Sequence, residues 1–408
     1  MKKEELVNHL RSLKETTSGT NLEDIIGSKQ NWTIASELSG GNVNFTYVME
    51  GEEGKSVIVK HSMPYIKILE DWKLDTCRSG FEVDHLLYTQ ERTPEHVPQI
   101  YHYDKEKAII VMKHVKNALT MRQSMLKEQQ LDDAANHVAT FLANSLFFSS
   151  DLALSIDKKY NLLQKYAGNY QLVAITDQVI MSEPYIKGCP NNSWDEVHNQ
   201  LVDTIQNNMN LKNIIRQLRE RFRNHPQALC HGDAHTGSIL VTTPEQGKHQ
   251  TYFIDPEFCF FGPMGFDIGL FVGNTLISII VNQHKHNKLT YNTLLSDFWM
   301  VFETTFSKLM DTSAPEEANI SNIYTDKKAW LKNFMNDLFI DTLAFAGCAM
   351  VRRIIGVASC LDMNVFGDQE LKQRQMAERK VMQIGEQLIE NYQSKSLTSM
   401  EDVMNLLK

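Results

Sequence analysis

Apolar residues recur along the first part of the chain in two different patterns. Leu6, Leu10 and Leu13 follow a helical spacing, which predicts an amphipathic N-terminal helix. The runs WTIASEL, NFTYVME and KSVIVKH come next, rich in β-branched and aromatic residues and separated by SGGN and GEEG. Short runs of this kind between turn residues are typical of antiparallel strands. With two more strands at QIYHYD and AIIVMKHV, we expect a small β-rich lobe over residues 1–115.

After residue 115 the pattern changes to long amphipathic segments that predict helices. Only three short strand-like runs interrupt them, at ALCHGD, SILVTT and TYFIDPEF. Segregation of strands from helices indicates an α+β fold, so we expect a larger, mostly helical lobe over residues 116–408 that contains an inserted β-hairpin. In a chain of two lobes, a ligand is expected to bind between them.

Composition narrows the class of partner. The chain has 408 residues, of which 42% are hydrophobic and 22% charged, and its net charge is −9. Nucleic acids and anionic membranes require a basic surface, so we expect a small-molecule ligand. The apolar runs at 271–281 and 342–351 are about half as long as the ~20 residues of a membrane-spanning helix. The six cysteines form no CxxC pair, and we expect a cytoplasmic protein with reduced thiols.

The candidate chemistry is concentrated in residues 230–257. In CHGDAHTGSIL one strand ends at HGD and another begins at SILV, which predicts that Asp233 lies on a tight loop projecting from a hairpin. We expect His231 to order this loop by hydrogen bonding. FIDPEF then places Asp255 and Glu257 at the end of the next strand. Neighbouring strand ends would bring the three carboxylates together, as in a divalent-cation site or an acid–base site.

The N-terminal strands carry groups that complement these carboxylates. SGGN joins two strands at residues 39–42, and its glycines let the backbone approach phosphate oxygens. Lys60 lies in the strand VIVK, and Glu82 lies near the start of a helical segment, where it can pair with Lys60. A glycine loop, a strand lysine, a helix glutamate, an HxD loop and a strand-end aspartate, in this order, are the parts needed for phosphoryl transfer from ATP. The order, more than any one part, indicates a phosphotransferase.

HGDAHTGSI, followed by IDPEF and GPMGFDIG, resembles the aminoglycoside/choline-kinase-like superfamily and, within it, the methylthioribose kinases. GNVNFTYV, FFSSDLAL and FAGCAMVRRIIGVA extend the resemblance over roughly residues 30–365. The resemblance implies a bilobal, protein-kinase-like fold that forms a homodimer. It also implies ATP-dependent phosphorylation of 5-methylthioribose at the C1 hydroxyl, a step of methionine salvage.

The same resemblance implies a role for each residue of the site. Asp233 would be the catalytic base and would contact the sugar, while Asp255 and Glu257 would hold Mg²⁺. Arg352 and Arg353 would face the sugar, with the loop tryptophan helping to enclose it. That tryptophan is Trp72. The nucleotide-binding residues would be Gly40, Gly41, Asn42, Lys60, Met112, Lys113 and Val115.

Three short segments differ from the pattern usual in this family. The family usually has GDGN in the glycine loop, an acidic pair after the hinge methionine and Trp-Pro, where this chain has SGGN, Lys-His and Trp-Lys. Two alternatives therefore stay open: a kinase acting on an aminoglycoside, choline or homoserine, and a catalytically silent ATP- or sugar-binding protein. Arg352 and Arg353 would repel a cationic substrate, and the intact Lys60, Asp233 and Asp255 argue against a silent protein.

Overall fold

The computed structural model describes residues 3–13, 15–38, 43–67, 69–131, 133–242, 249–312, 326–357 and 360–408. In this part of the chain the helices, α1 to α14 in order, are Lys3–Ser12, Leu22–Ile26, Arg78–Gln90, Met121–Leu126, Ala134–Phe148, Ile156–Tyr166, Tyr170–Met181, Asn199–Asn207, Met209–Asn224, Met264–His286, Leu294–Thr312, Lys327–Ile355, Leu371–Ser394 and Met400–Asn405. The strands, β1 to β12, are Thr33–Glu37, Phe45–Glu50, Ser56–His61, Tyr65–Ile66, Leu69–Lys73, Ile100–Asp104, Ile109–Lys113, Ala118–Thr120, Ala228–Cys230, Ile239–Thr242, Thr251–Phe253 and Phe260–Gly262. The chain divides into two compact units, residues 1–117 with 252–257, and residues 118–251 with 258–408.

The first unit is built on an antiparallel sheet of five strands in the order β1-β2-β3-β7-β6. Side chains alternate between the two faces of a strand, so Val57 and Val59 of β3 share one face. That face packs against α1 and α2, whose leucines and isoleucine are buried in the same core with Trp32. Alternation places Lys60 on the opposite face from this core. The strands predicted from the sequence for this region are confirmed.

The second unit is mostly helical, and a seam of glycines brings two of its longest helices together. Gly265, Gly269 and Gly273 lie one turn apart on α10, facing α12. A Cβ at Gly269 would lie 2.8 Å from the carbonyl oxygen of Thr342, so only glycine permits this approach. The last turn of α12 carries Arg352 and Arg353, and the seam therefore fixes the helix that presents both arginines.

One helix of the second unit is longer than the apolar run in the sequence suggested. Among the described residues, α10 alone has the length and apolar composition to cross a membrane, yet every residue of its most apolar stretch is buried inside the protein. The expectation of short apolar runs was wrong for this segment, because its buried residues begin at Met264, seven positions before the run at 271–281. A helix hydrophobic on all sides and buried on all sides is a core helix.

The strands around the HGD loop do not form the expected hairpin. Strand β9 pairs with β12, with Cys230 opposite Phe260, and β10 pairs with β8, with Leu240 opposite Thr120. The loop between β9 and β10 thus crosses from one small ladder to another. Gly232 has a φ of +82°, a conformation that turns the chain away from the line of β9 and is natural for glycine.

Candidate active site

Lys60 lies at the centre of a charged cluster in the first unit. Its Nζ is 2.5 Å from Oε1 of Glu82 on α3 and 2.7 Å from Oδ1 of Asp255, so the pairing with Glu82 predicted from the sequence is present. The lysine is only 4% exposed. Burial alone would lower the pKa of Lys60, but the charges of Asp255, Glu82 and Glu257 raise it above its ordinary value. The ammonium group is thus kept charged and in a fixed place.

Asp255 and Glu257 follow β11 within two residues of each other. Asp255 has a φ of +63°, a conformation that costs a non-glycine residue about 1–3 kcal/mol and is concentrated at functional sites. Oε2 of Glu257 accepts a hydrogen bond of 2.8 Å from Nδ2 of Asn44, and Nε of Arg78 lies 3.5 Å away. Burial raises the pKa of Glu257 to about 7. The two carboxylates are therefore held by the fold before any ligand binds.

The donor atoms of this pair suit a magnesium ion that also binds phosphate. Both residues offer carboxylate oxygens, the hard ligands that Mg²⁺ prefers. Within the described ranges, no group of three or more His, Cys, Asp or Glu side chains forms a ready metal cluster. Magnesium in nucleotide sites commonly takes one or two carboxylates and completes its shell with phosphate oxygens and water. Asp255 and Glu257 fit that arrangement better than a metal cage made of protein alone.

Three residues predicted to bind the nucleotide, Met112, Lys113 and Val115, lie in and directly after β7. Met112 is buried and pairs with Ile58, and Nζ of Lys113 lies 5.2 Å from the ring centroid of Tyr252. Val115 follows the strand and is half-buried. Their contacts with adenine stay a prediction. Gly40, Gly41 and Asn42 lie outside the described residues, and the half-buried Trp72 lies in β5.

In the second unit, two hydrogen bonds to the carboxylate of Asp267 fix the backbone of the loop that carries Asp233. The two carboxylate oxygens of Asp267 accept hydrogen bonds from the backbone N–H groups of His231, at 2.6 Å, and Gly232, at 2.9 Å. The N–H of Asp233 donates to Nδ1 of His231 at 3.3 Å, so His231 orders the loop as expected. A Cβ at Gly232 would collide with the carbonyl oxygen of Phe258. These contacts fix the backbone from which the Asp233 side chain extends.

His235 contacts the carboxylate of Asp233 through a defined tautomer. The backbone N–H of Gly237 donates to Nδ1 of His235 at 2.8 Å, so this nitrogen carries no proton. In the neutral ring the proton is on Nε2, which lies 3.5 Å from Oδ2 of Asp233. Burial, followed by the positive charges of Arg353, Arg122 and Arg352, lowers the pKa of His235 well below its ordinary value. A neutral imidazole is therefore positioned beside the carboxylate.

The charges of Arg352 and Arg353 reach this loop, since both lower the pKa of His235, and their contact with the sugar stays a prediction. Burial and the charge of Arg353 lower the pKa of Arg352 to about 9, while Asp233 acts in the opposite direction. Arg353 is 9% exposed. Three of the residues predicted to contact the sugar, Asp233, Arg352 and Arg353, thus belong to the second unit. Trp72 belongs to the first unit, and its approach to the sugar stays a prediction.

Two residues around the HGD loop, Arg122 and Asp267, were not predicted from the sequence. Arg122 belongs to the first turn of α4, which begins with a capping box between Thr120 and Gln123. The pattern T-x-x-Q predicts such a helix start, but no local pattern relates it to residues 233–237. Asp267 stands in GPMGFDIG, where one acidic residue follows a proline at the start of an apolar helix. That isolated charge could have identified it as a buried acceptor for backbone N–H groups.

Replacing His235 with glutamine should make the folded protein less sensitive to acid. The pKa of His235 in the folded protein lies below its ordinary value of 6.5. As the pH falls below 6.5 the unfolded chain binds a proton that the folded protein does not, and stability decreases by up to about 1.4 kcal/mol per pH unit. Urea unfolding at pH 7.5 and 5.5, in buffers without phosphate or sulfate, should show a smaller loss for His235→Gln than for the parent. His286→Gln is the control, and equal losses in all three proteins would contradict the prediction.

Comparison with known proteins identifies the family of the chain. The model of the phosphotransferase enzyme family, APH, matches residues 34–281, more than half of the chain. The methylthioribose kinase of Bacillus cereus (strain 03BB102) is 31% identical over 364 residues, which cover 89% of this chain and 88% of that protein. The methylthioribose kinase of Bacillus thuringiensis (strain Al Hakam) is 30% identical with the same coverage. The chain therefore belongs to the APH phosphotransferase family and is an ATP-dependent small-molecule kinase.

Proposed function

We propose that this chain transfers the γ-phosphoryl group of ATP to the C1 hydroxyl of 5-methylthioribose, giving 5-methylthioribose 1-phosphate in methionine salvage. The names of the Bacillus relatives support the substrate. The observation that carries the proposal is that two arginines of one compact unit lie in electrostatic reach of the HGD loop: Arg352 interacts with Asp233, and both arginines act on His235, which contacts Asp233. Guanidinium groups suit vicinal hydroxyls and phosphate, and they disfavour the cationic substrates of choline and aminoglycoside kinases.

Asp233 is the base in this proposal. The C1 oxygen bonds to the γ-phosphorus, its proton passes to the Asp233 carboxylate, and the bond from phosphorus to the β,γ-bridging oxygen breaks, with ADP leaving with the electron pair. An anomeric hydroxyl is more acidic than an ordinary alcohol, so a carboxylate base suffices. Nε2 of His235, 3.5 Å from Oδ2 of Asp233, orients the carboxylate. Phosphoryl transfer depends mainly on positioning and charge neutralisation, which fixed groups of this kind supply.

The first unit supplies the nucleotide groups in the proposal. We assign residues 1–115 as the nucleotide-binding lobe and residues 116–408 as the catalytic lobe. Lys60 contacts the ATP phosphates, with Gly40, Gly41, Asn42 and the backbone of residues 112–115 completing the nucleotide site. Mg²⁺, held by Asp255 and Glu257, would neutralise phosphate charge. We further propose that the enzyme is a cytoplasmic homodimer.

A cavity of about 420 Å³ lies beside Arg353 in the second unit and suits the rest of the sugar. Its apolar lining includes Trp194, Ile354 and Met363, and a thioether sulfur packs favourably against an aromatic ring. Two carboxylates of the lining already have partners. Asp195 accepts from Gln375 at 2.9 Å, and Glu378 accepts from His198 and Arg374 at 2.9 and 2.8 Å. Neither is poised to recognise a quaternary or polycationic substrate, which favours the sugar.

Arg352→Ala and Arg353→Ala should each impair the use of methylthioribose much more than the use of ATP. A lost charge-assisted hydrogen bond is worth about 1.5–3 kcal/mol, so KM for the sugar should rise or kcat fall by roughly 10- to 150-fold. Steady-state kinetics with each substrate varied in turn measures this. The exposed Arg216, paired with Glu220 on α9, provides the control variant Arg216→Ala, which should match the parent. Normal kinetics for both site variants would remove the arginines from the sugar site.

A panel of acceptors tests the proposed function directly. ADP release should depend on Mg²⁺ and should be fastest with methylthioribose, when methylthioribose, ribose, choline, homoserine and kanamycin are compared at equal concentration. Preference for choline, homoserine or kanamycin would leave the kinase family assignment in place and overturn the sugar. No ADP release with any acceptor would favour the silent binding protein.

A further inference from the structure

Arg122 presents its guanidinium group to the loop that carries Asp233. Its backbone N–H donates to the carbonyl oxygen of Thr236 at 3.0 Å, so the link between α4 and this loop needs no side chain. A Cβ built on Gly237 would lie 3.0 Å from Nη1 of Arg122 and 2.5 Å from Cε1 of His235. The guanidinium therefore lies against residues 235–237. It shares that surface with the imidazole that contacts Asp233.

The charges of three guanidinium groups, on Arg122, Arg352 and Arg353, act on His235 of this loop. In the described part of the chain, no Asp or Glu oxygen lies within 4.0 Å of the side-chain nitrogens of Arg122, Arg352 or Arg353. The charge of Asp362 attracts Arg122 and Arg353 from beyond that distance, and Oδ1 of Asp362 accepts a hydrogen bond of 2.6 Å from the hydroxyl of Ser278.

This arrangement is unfavourable for the protein alone. Burial lowers the pKa of Arg122, the charge of Asp362 opposes this shift, and the charge of Arg353 adds to it. Partly buried like charges repel each other at low dielectric, and a buried cation without a partner is destabilising. Elsewhere in the same unit an arginine at a comparable depth has a carboxylate partner: Arg221 pairs with Asp341. The unpartnered set is therefore suited to an anion that arrives from outside.

We propose that Arg122 completes, with Arg352 and Arg353, a three-arginine site for the phosphate group of the sugar 1-phosphate product. Three planar guanidinium groups offer many N–H donors to a dianion with three terminal oxygens, which is the geometry that binds phosphate best. The unphosphorylated sugar has no such group, so Arg122 discriminates product from substrate. The identity of the sugar rests on the function proposed above, whereas the binding of phosphate does not.

The proposed site predicts that substitutions at Arg122 and at Arg221 have different effects on the thermal stability of the protein. In a buffer free of multivalent anions, Arg122→Met should change the thermal midpoint little, because the lost attraction to Asp362 is offset by the lost repulsion from Arg353 and no ion pair in direct contact is broken. Arg221→Met should lower the midpoint, because it leaves Asp341 buried without its partner. Adding inorganic phosphate should raise the midpoint of the parent and of Arg221→Met, and should raise that of Arg122→Met much less.

Isothermal titration provides the decisive measurement. Methylthioribose 1-phosphate and inorganic phosphate should each bind Arg122→Met at least about 10-fold more weakly than the parent, the loss expected for one charge-assisted hydrogen bond. Arg122→Lys, which keeps the charge but not the fork, should recover part of the affinity. KM for methylthioribose should change less than about threefold, and ADP affinity should stay within about twofold of the parent.

Two results would overturn the site: phosphate ligands that bind Arg122→Met as they bind the parent, or a parent that binds neither ligand. A failure of the proposed function gives a different result. If the parent does not phosphorylate methylthioribose but binds inorganic phosphate through Arg122, the phosphate site stands and only the sugar assignment falls.

Discussion

Asp233→Asn should lower kcat by at least about 10²-fold, the usual effect of removing a positioned proton acceptor. The amide keeps the shape of the side chain but cannot accept the proton of the C1 hydroxyl. MgATP affinity should change little, because the backbone of the loop is held by Asp267 and His231 and does not depend on the Asp233 carboxylate. ADP release at saturating substrates measures kcat, and titration with MgATP measures the affinity.

The surface aspartate Asp203, which pairs with Lys187 in the same unit, supplies the control. Asp203→Asn should retain the parent rate. Turnover by Asp233→Asn within a few-fold of the parent would remove Asp233 from the role of base. A parallel loss of MgATP affinity and kcat would indicate instead that the substitution disturbs the loop.

Asp255→Ala should abolish activity and weaken MgATP binding far more than the binding of metal-free ATP. The carboxylate is a hard ligand suited to Mg²⁺. Lys60 remains charged without it, because the ion pair with Glu82 at 2.5 Å is intact. Metal-free ATP therefore keeps the contact between its phosphates and Lys60, whereas Mg²⁺ in MgATP loses a ligand. Glu257→Ala should act in the same direction and less severely.

Titration with ATP in the presence of Mg²⁺ and in the presence of a chelator separates the two forms of the nucleotide. Asp24→Ala, an exposed position on α2 in the same unit, should bind both forms as the parent does. An equal loss for the two forms of ATP in Asp255→Ala would reassign Asp255 to a structural role, such as holding Lys60.

The strands of the first unit could be predicted because each is encoded by a short, continuous segment of the sequence. Strands β1, β2, β3, β6 and β7 each appear as a short β-branched run between turn residues. The same periodicity that buries Val57 and Val59 requires Lys60 to face the other way, toward the helix that carries Glu82. Only the short strands β4 and β5 separate β3 from α3 along the chain, so α3 is the first helix after Lys60 that can supply a partner.

The loop around Asp233 could be recognised from its motif, but the strand pairs and side chains that surround it could not be predicted. Pairing of β9 with β12 and of β10 with β8 depends on contacts between segments up to about 120 residues apart, and neither strand carries a signal for its partner. Arg122 and Arg352 are separated by 230 positions, and only the packing of the helices that carry them lets both charges act on His235. An arginine without a carboxylate partner can be identified only when all of its neighbours are known.

The glycine seam between α10 and α12 has a consequence for how the substrate preference of this enzyme evolves. Thr342, against which Gly269 packs, is ten residues before Arg352 on one continuous helix, a distance of about 15 Å. Because a Cβ at Gly269 would meet the α12 backbone, even alanine there would push α12 outward and move both guanidinium groups. Laboratory selection for new acceptor sugars should therefore recover substitutions along this seam, at positions that never contact a ligand.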